Sequence, residues 1–185
     1  MATSLVMTFV GPDKPGLVEL ISRTVAEHGG NWLDSRLCSL SGQFAGIVLA
    51  RVPDANAAAL RLALTELQAA GLKVLVETAS GAEPPVKARM LRLELIGQDR
   101  PGIVRDVSRV FKEHAANIEE LHTATVSGAM SGETMFKASA DIRLAPETTL
   151  EQLRRALEAL ANDMMVDIAL QEVDRPAASD AKRPR

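Results

Sequence analysis

GPDKPGLVELISRTVAEHGGN, at residues 11–31, and GQDRPGIVRDVSRVFKEHAAN, at residues 97–117, are two copies of one segment. Ten of the 21 positions are identical at a constant offset of 86 residues, whereas ordinary residue frequencies would give about one or two identities. The chain therefore carries an internal duplication, which is the first feature to establish because it sets the architecture.

Each copy predicts the same order of elements. An apolar run predicts a first strand, and apolar residues at helical spacing follow it. Two strands joined by a Ser-Gly turn come next, and then a second helix and a last strand. The strands are predicted at residues 5–10, 31–40, 43–52 and 72–77 in the first copy, and 91–96, 117–126, 133–144 and 164–171 in the second. We therefore predict an α+β protein of two tandem ferredoxin-like βαββαβ modules, each an antiparallel sheet with its helices on one face.

Composition places the boundaries between these modules. Residues 79–88 contain glycine and paired prolines and are typical of a linker. We predict a first module at residues 1–80, a linker at 81–86 and a second module at 87–173. The last 12 residues, 174–185, form a polar tail that is predicted to be disordered.

A sheet with both helices on one face leaves its other face open. In the first strand of copy one, Leu5, Met7 and Phe9 alternate with Val6 and Val10, so both faces of that strand are apolar. In copy two, Arg92 and Glu94 take the outward positions. We therefore expect the first module to pack its open face against either the second module or another subunit, as in a homodimer. The second open face is expected to be more polar.

Composition also limits the class of protein. The chain has 185 residues, with 21 Lys and Arg against 24 Asp and Glu, for a formal net charge of −3. It lacks the positive excess on which general nucleic-acid binding depends. Its single cysteine, Cys38, cannot form an internal disulfide, and no apolar run approaches the roughly 18 residues that span a bilayer. We expect a cytoplasmic protein that binds neither nucleic acid nor membranes directly.

Enzyme motifs are missing from the sequence. There is no G-x-S-x-G, P-loop or G-x-G-x-x-G motif, and His28, His114 and His122 lack metal-ligand spacing. His28 and His114 are expected to stabilise the last turn of their helices. Cys38 is expected to be a small core residue. We predict a protein that is not an enzyme and has no cofactor.

The repeated loop before each first helix is the candidate ligand site. Lys14 and Arg100 precede prolines and suit helix N-cap positions, so that Pro15 and Pro101 would be the first helical residues. Backbone N–H groups would then point out of each helix N-terminus, an arrangement that suits a small anion such as an amino-acid carboxylate. The candidate residues are Asp13, Lys14, Pro15, Gly16 and Leu17, with Asp99, Arg100, Pro101, Gly102 and Ile103. Alternatively, Asp13 and Asp99 accept from those N–H groups and simply begin the helix.

Asn31 and Asn117, which open the next strand, complete the set. Since the helix returns the chain to the far end of the module, Asn31 is expected to be distant from its own loop. A turn role for asparagine, in the left-handed conformation that ends a helix, is the alternative. Asp34 and Arg36 are predicted to share a strand face and to pair.

These residues resemble the ACT domain, a ligand-sensing βαββαβ module with D-[KR]-P-G followed by a strand-opening asparagine. NWLDSRL (31–37) and SGAMSGETMF (127–136) are similar to the family of glycine cleavage system transcriptional repressors, which consist of two tandem ACT domains. The resemblance covers residues 3–173.

The resemblance implies a regulator that senses glycine or another amino acid and acts through a protein partner such as a transcription activator. Ligands of ACT domains lie between two modules, which would bring residues 13–17 of one module near Asn31 of another. The second module of the family often lacks an intact loop, whereas Asp99, Pro101 and Gly102 are present here, which implies two competent sites. The alternative function is a regulatory subunit of an enzyme of amino-acid or one-carbon metabolism.

Overall fold

The computed structural model describes residues 1–79, 89–127 and 133–173. The chain divides into two compact units, Met1–Ala82 and Glu83–Arg185. The predicted linker at 81–86 and the predicted tail at 174–185 lie outside the described residues, as does part of the second hairpin, 128–132. In the described ranges, no helix is both long and apolar enough to cross a lipid bilayer.

The predicted βαββαβ order is confirmed in both modules. The first contains β1 (Ala2–Pro12), α1 (Leu17–Glu27), β2 (Asn31–Leu40), β3 (Gln43–Pro53), α2 (Asp54–Glu66), a short 3-10 helix (Leu67–Ala70) and β4 (Lys73–Thr78). The second contains β5 (Arg89–Gln98), α3 (Ile103–Glu113), β6 (Ala116–Ser127), β7 (Thr134–Leu144), α4 (Leu150–Met164) and β8 (Val166–Val173).

The two sheets have the same strand order. It is β2-β3-β1-β4 in the first and β6-β7-β5-β8 in the second, and the paired strands are antiparallel. One edge strand of each sheet has a shift in register, between Trp32 and Asp34 in β2 and between Ile118 and Glu120 in β6. The duplication therefore extends to the position of a β-bulge.

Each module buries its own core between its helices and one face of its sheet. In the first module, Leu5, Met7 and Phe9 of β1 are fully buried and pack in one cluster with Ile21 and Val25 of α1. The second module repeats this arrangement with alternate leucines of β5 and the apolar side of α3. Burial of each such side chain stabilises the fold by about 1.5–3 kcal/mol.

The open faces differ as the sequence predicts. In the first module, the residues that alternate with the core are mostly apolar, and Val10, Ile47 and Leu75 are 48%, 45% and 58% exposed. We call this surface the apolar face; it consists of Val6, Thr8, Val10, Ala45, Ile47, Leu49 and Leu75. In the second module, Arg92 and Asp141 form a bidentate ion pair at the corresponding place.

The prediction for Cys38 is wrong, because this residue is exposed. Simple alternation from Trp32, which packs on the core, would place Cys38 on the core face. The bulge between Trp32 and Asp34 reverses that alternation, so Leu37 packs inward and Cys38 lies on the open side. A bulge is one extra residue in one strand, and it moves all later side chains to the other face.

Candidate functional site

The repeated loop ends in a turn with a left-handed glycine. Gly16 has φ 91° and ψ −2°, and Gly102 has φ 99° and ψ −5°. These angles match the third position of a type II turn, in which proline is favoured at the second position and glycine at the third. The Pro-Gly pair in each loop therefore makes a turn before the helix begins.

The predicted helix start is corrected accordingly. The helices begin at Leu17 and Ile103, with Gly16 and Gly102 as their N-cap residues. Lys14 and Arg100 are not N-caps, and Pro15 and Pro101 are not the first helical residues. The reason is that a glycine after proline favours the type II turn, which places a left-handed residue directly before the helix.

The N-terminus of α1 keeps its backbone donors available. The first helical hydrogen bond runs from the N–H of Leu20 to the carbonyl of Gly16, at 2.9 Å. The N–H groups of Leu17, Val18 and Glu19 precede it and have no acceptor within the helix. No side chain caps α1, so the alternative in which Asp13 satisfies these donors does not hold.

Asp13 instead fixes the loop to the neighbouring hairpin. Its N–H donates to the carbonyl of Gly42 at 2.9 Å, and its carboxylate accepts from the Ser39 hydroxyl at 2.6 Å. The N–H of Asp99 makes the matching bond to the carbonyl of Thr134, also at 2.9 Å. Both loops are therefore held in place by the hairpin beside them.

The two helix starts differ in what surrounds the glycine. No heavy atom lies within 4 Å of the position that a Cβ would take at Gly16. At Gly102, that position lies 3.1 Å from Nη2 of Arg105 and 3.6 Å from Oδ2 of Asp106. The space beside the first helix is open, and the space beside the second is occupied by side chains of the helix itself.

Both helices have an acid in the first turn, Glu19 in α1 and Asp106 in α3, but the two acids have different partners, Arg23 and Arg105. Nε of Arg105 donates to Oδ1 of Asp106 at 2.9 Å, and this hydrogen bond lowers the pKa of the Asp106 carboxyl below its usual value. Asp106 is thus an ionised carboxylate in the first turn of α3, where it interacts favourably with the helix dipole. At the offset of 86, the corresponding residues of α1 are Glu19 and Leu20, so the pair has no counterpart in the first module.

Asn31 lies far from its own loop, as predicted. It pairs with Arg51 of β3, which pairs with Ser4 at the start of β1, whereas the loop follows Pro12 at the end of β1. Eight residues of strand separate the two ends, about 27 Å. Asn31 therefore cannot contact a ligand at the N-terminus of α1 of its own module.

The alternative role for the asparagines, as left-handed residues in the turn that ends a helix, is wrong. The left-handed residues between the first helix and the second strand are Gly29 and Ala115, with φ 69° and 47°, and not the asparagines. Asn117 donates to the Glu119 carboxylate at 2.6 Å, and Arg143 binds the same oxygen at 2.7 Å. Asn117 is therefore already engaged within its module.

The histidines have local partners. Nδ1 of His28 is 2.8 Å from the carbonyl of Thr24, and Nδ1 of His114 is 2.8 Å from that of Val110, so both close their own helices as predicted. His122 pairs with Glu120 at 2.9 Å. The predicted pair of Asp34 and Arg36 is present at 2.7 Å. The described residues contain no group of three or more His, Cys, Asp and Glu side chains that could hold a metal ion.

Sequence reasoning missed a groove on the open face of the second sheet. This cavity has a volume of about 610 Å³ and none of its lining residues belongs to the repeated loops. Small side chains such as Ala124, Ser139 and Ala169 form part of it, with Glu94 and Lys137 among its charged residues. The sequence pattern that could have indicated this groove is a small residue two positions from a charged one on the same strand face, as in Lys137 and Ser139 or Asp167 and Ala169.

The fold and the loops together define a class of protein: two tandem βαββαβ modules, each with a braced Pro-Gly turn before its first helix. The chain belongs to the ACT domain family, whose model matches residues 3–85 and 89–171.

Known proteins agree with this assignment. The glycine cleavage system transcriptional repressor of Escherichia coli (strain K12) is 33% identical over 124 residues, which are 65% of this chain and 64% of the relative. This chain therefore spans just under two thirds of the length of that curated relative. The resemblance predicted from the sequence is confirmed.

Solved structures share the whole architecture. The crystal structure of an unknown protein from Galdieria sulphuraria has a TM-score of 0.80 and 30% identity, and covers 94% of this chain and 100% of its own. A structure provisionally described as a glycine cleavage system transcriptional repressor has a TM-score of 0.69 and 22% identity, and covers 95% of this chain and 99% of its own. At that identity, the second match shows the fold alone.

Proposed function

We propose that this protein is an amino-acid-sensing regulator that is not an enzyme, and that its first module holds the ligand. The observation that carries this proposal is the open N-terminus of α1, with a left-handed Gly16 and uncapped backbone donors. Membership of the ACT family and the similarity to a transcriptional repressor support a regulatory role.

The ligand carboxylate binds the N–H groups at the start of α1. A helix N-terminus favours an anion through its free donors and its dipole. Lys14 adds a positive charge on the same exposed loop. Residues 13–17 of the first module form the site, and residues 99–103 form its counterpart, where an anion would approach the ion-paired side chains of Arg105 and Asp106.

The first module of a second copy completes the site. Asn31 is about 27 Å from its own loop along β1, and among the described residues its side chain makes no hydrogen bond. We place Asn31 of a neighbouring first module against the polar groups of the ligand. Asn117, which is bonded to Glu119, does not take the same role.

The regulatory output passes through protein contact. The chain has a formal net charge of −3, so it lacks the overall positive excess on which general phosphate binding depends. A transcription regulator is the proposed partner, because the similar Escherichia coli protein is named a transcriptional repressor. Glycine is the first ligand to test for the same reason.

A thermal-shift screen of glycine and the other common amino acids tests the proposal. A ligand at 100 times its Kd adds about 2.7 kcal/mol of apparent stability, which raises the melting temperature by several degrees. No shift with any amino acid would overturn the proposed sensing role.

The variants Asn31→Ala and Asn117→Ala are a matched pair for the same screen. The first is expected to weaken the binding of the amino acid that gives the largest shift by about tenfold, which corresponds to about 1.4 kcal/mol. The second is expected to leave the affinity unchanged. Equal effects of the two variants would contradict the assignment of the site to the first module.

A further inference from the structure

The two open faces form a comparison within one molecule. Matching register positions carry different residues in the two sheets: Val6 and Arg92, Thr8 and Glu94, Leu49 and Asp141, Ile47 and Ser139, and Leu75 and Ala169. The cores of the two modules are both apolar, so the difference is confined to the outer face. Since both sheets derive from one duplicated unit, this difference indicates that the two faces contact different surroundings.

We propose that the apolar face is the contact surface of a symmetric homodimer, in which it packs against the same face of a second copy. The proposal does not depend on any bound amino acid. β1 and β3 have 11 residues each, β2 has 10 and β4 has 6, which gives about 600 Å² for the whole open side of the sheet, the apolar face and its charged edges together, from ordinary strand spacings. Two such faces bury about 1,200 Å², the lower end of stable specific interfaces.

Charges at the edges of the face support self-association. Three rows of paired residues cross the sheet, each running from β2 through β3 and β1 to β4. The first row is Asp34, Leu49, Val6 and Glu77, and the middle row is Arg36, Ile47, Thr8 and Leu75. The third row is Cys38, Ala45, Val10 and Lys73. The middle of the face is apolar, whereas both ends of the first row are acidic and one end of the third row is basic.

One of the two possible two-fold arrangements pairs opposite charges. When the axis follows the middle row, the first row of one copy lies over the third row of the other. Glu77 then faces the partner subunit's Lys73, and this contact occurs twice because the interface is isologous. Leu49 faces the partner subunit's Ala45, so a large residue meets a small one.

The other arrangement brings like charges together. When the axis is parallel to the strands, each row lies over the same row of the other copy in reverse order. Asp34 then faces the partner subunit's Glu77, which is unfavourable. In the favoured arrangement, Arg36 faces its own counterpart, but each Arg36 is already neutralised by Asp34 of its own chain at 2.7 Å.

Sedimentation velocity of the full chain between about 1 and 100 µM tests the surface. We expect a dimer whose dissociation constant rises at least a hundredfold in Ile47→Lys, which buries a charge in the middle of the face. The rise is expected to be smaller in Leu75→Lys, because Glu77 lies two residues away on the same strand face. Both side chains are about half exposed in one copy, so the fold tolerates the change, and circular dichroism checks it. The matched controls Ser139→Lys and Ala169→Lys, on the second sheet, are expected to leave the dimer intact.

Charge reversal tests the arrangement of the two copies. Glu77→Lys and Lys73→Glu are each expected to weaken the dimer by roughly tenfold, because each turns two attractive contacts into repulsive ones. The double variant is expected to return the dissociation constant to within about threefold of the original value.

A folded monomer throughout this concentration range would overturn the proposal, and so would a dimer that Ile47→Lys and Leu75→Lys leave unchanged. A dimer that Glu77→Lys strengthens would overturn the axis along the middle row, because it would place Glu77 opposite Asp34.

Discussion

Gly16→Asp tests the ligand site most directly. Asp accepts a left-handed backbone more readily than most residues, at a strain of at most about 1–2 kcal/mol, and its Cβ meets no neighbour within 4 Å. The new carboxylate also gains about 0.3–1 kcal/mol from the dipole of α1. The free energy of unfolding is therefore expected to stay within about 2 kcal/mol of the original value.

The effect on binding is expected to be much larger. The new carboxylate lies at the start of α1, where the ligand carboxylate is proposed to bind, and repels it. A ligand carboxylate then loses charge-assisted hydrogen bonds worth about 1.5–3 kcal/mol, which is roughly a 10- to 150-fold loss of affinity.

Isothermal titration calorimetry with glycine, and with the amino acid of largest thermal shift, measures this loss. Gly16→Asn has the same size without the charge and is expected to lose less affinity. Gly102→Asp is expected to change the affinity little, because the proposed ligand binds in the first module. If Gly16→Asp binds within about twofold of the original protein while its melting temperature is unchanged, the α1 site is wrong.

Three further outcomes are expected. Asp106→Leu gives α3 the residue that α1 has at the same place, Leu20, and should raise the calorimetric stoichiometry from one ligand per chain to two. An unchanged stoichiometry would show that Asp106 does not block the second site. Gly11→Ala should cost about 1–3 kcal/mol in denaturant unfolding, because its Cβ would lie 2.5 Å from the carbonyl oxygen of Gly71. The folded-state pKa of Asp106 is below its ordinary value of 3.8. The ionised carboxylate therefore stabilises the folded protein above about pH 4. This contribution to stability is lost as the pH falls through the folded-state pKa. Asp106→Asn should therefore unfold less steeply in acid than the original protein.

Much of the architecture was predictable because it rests on local patterns. The repeat at an offset of 86 gave two equivalent modules, and alternation in β1 and β5 gave the core and the contrast between the open faces. These inferences succeed because side chains alternate strictly along an undisturbed strand. The pair of Asp34 and Arg36, two residues apart, follows from the same rule.

The site could be predicted only as a set of residues. D-[KR]-P-G identified the loop, but proline before a helix is compatible with both an N1 position and a type II turn. The helix start at Leu17 depends on the left-handed Gly16, and the position of the loop depends on the hairpin contacts of Asp13 to Gly42 and Ser39. Those partners are 29 and 26 residues away in the chain, beyond the reach of local pattern.

The sequence by itself determined which residues form strands, helices and cores, because hydrophobic periodicity is a local property. Tertiary structure decided what distinguishes the two copies. The bulge after Trp32 turned Cys38 outward, and the side chains of Arg105 and Asp106 filled the space that remains open beside Gly16. Both outcomes depend on register and on side-chain direction across neighbouring elements, which a one-residue shift can reverse without changing the sequence pattern.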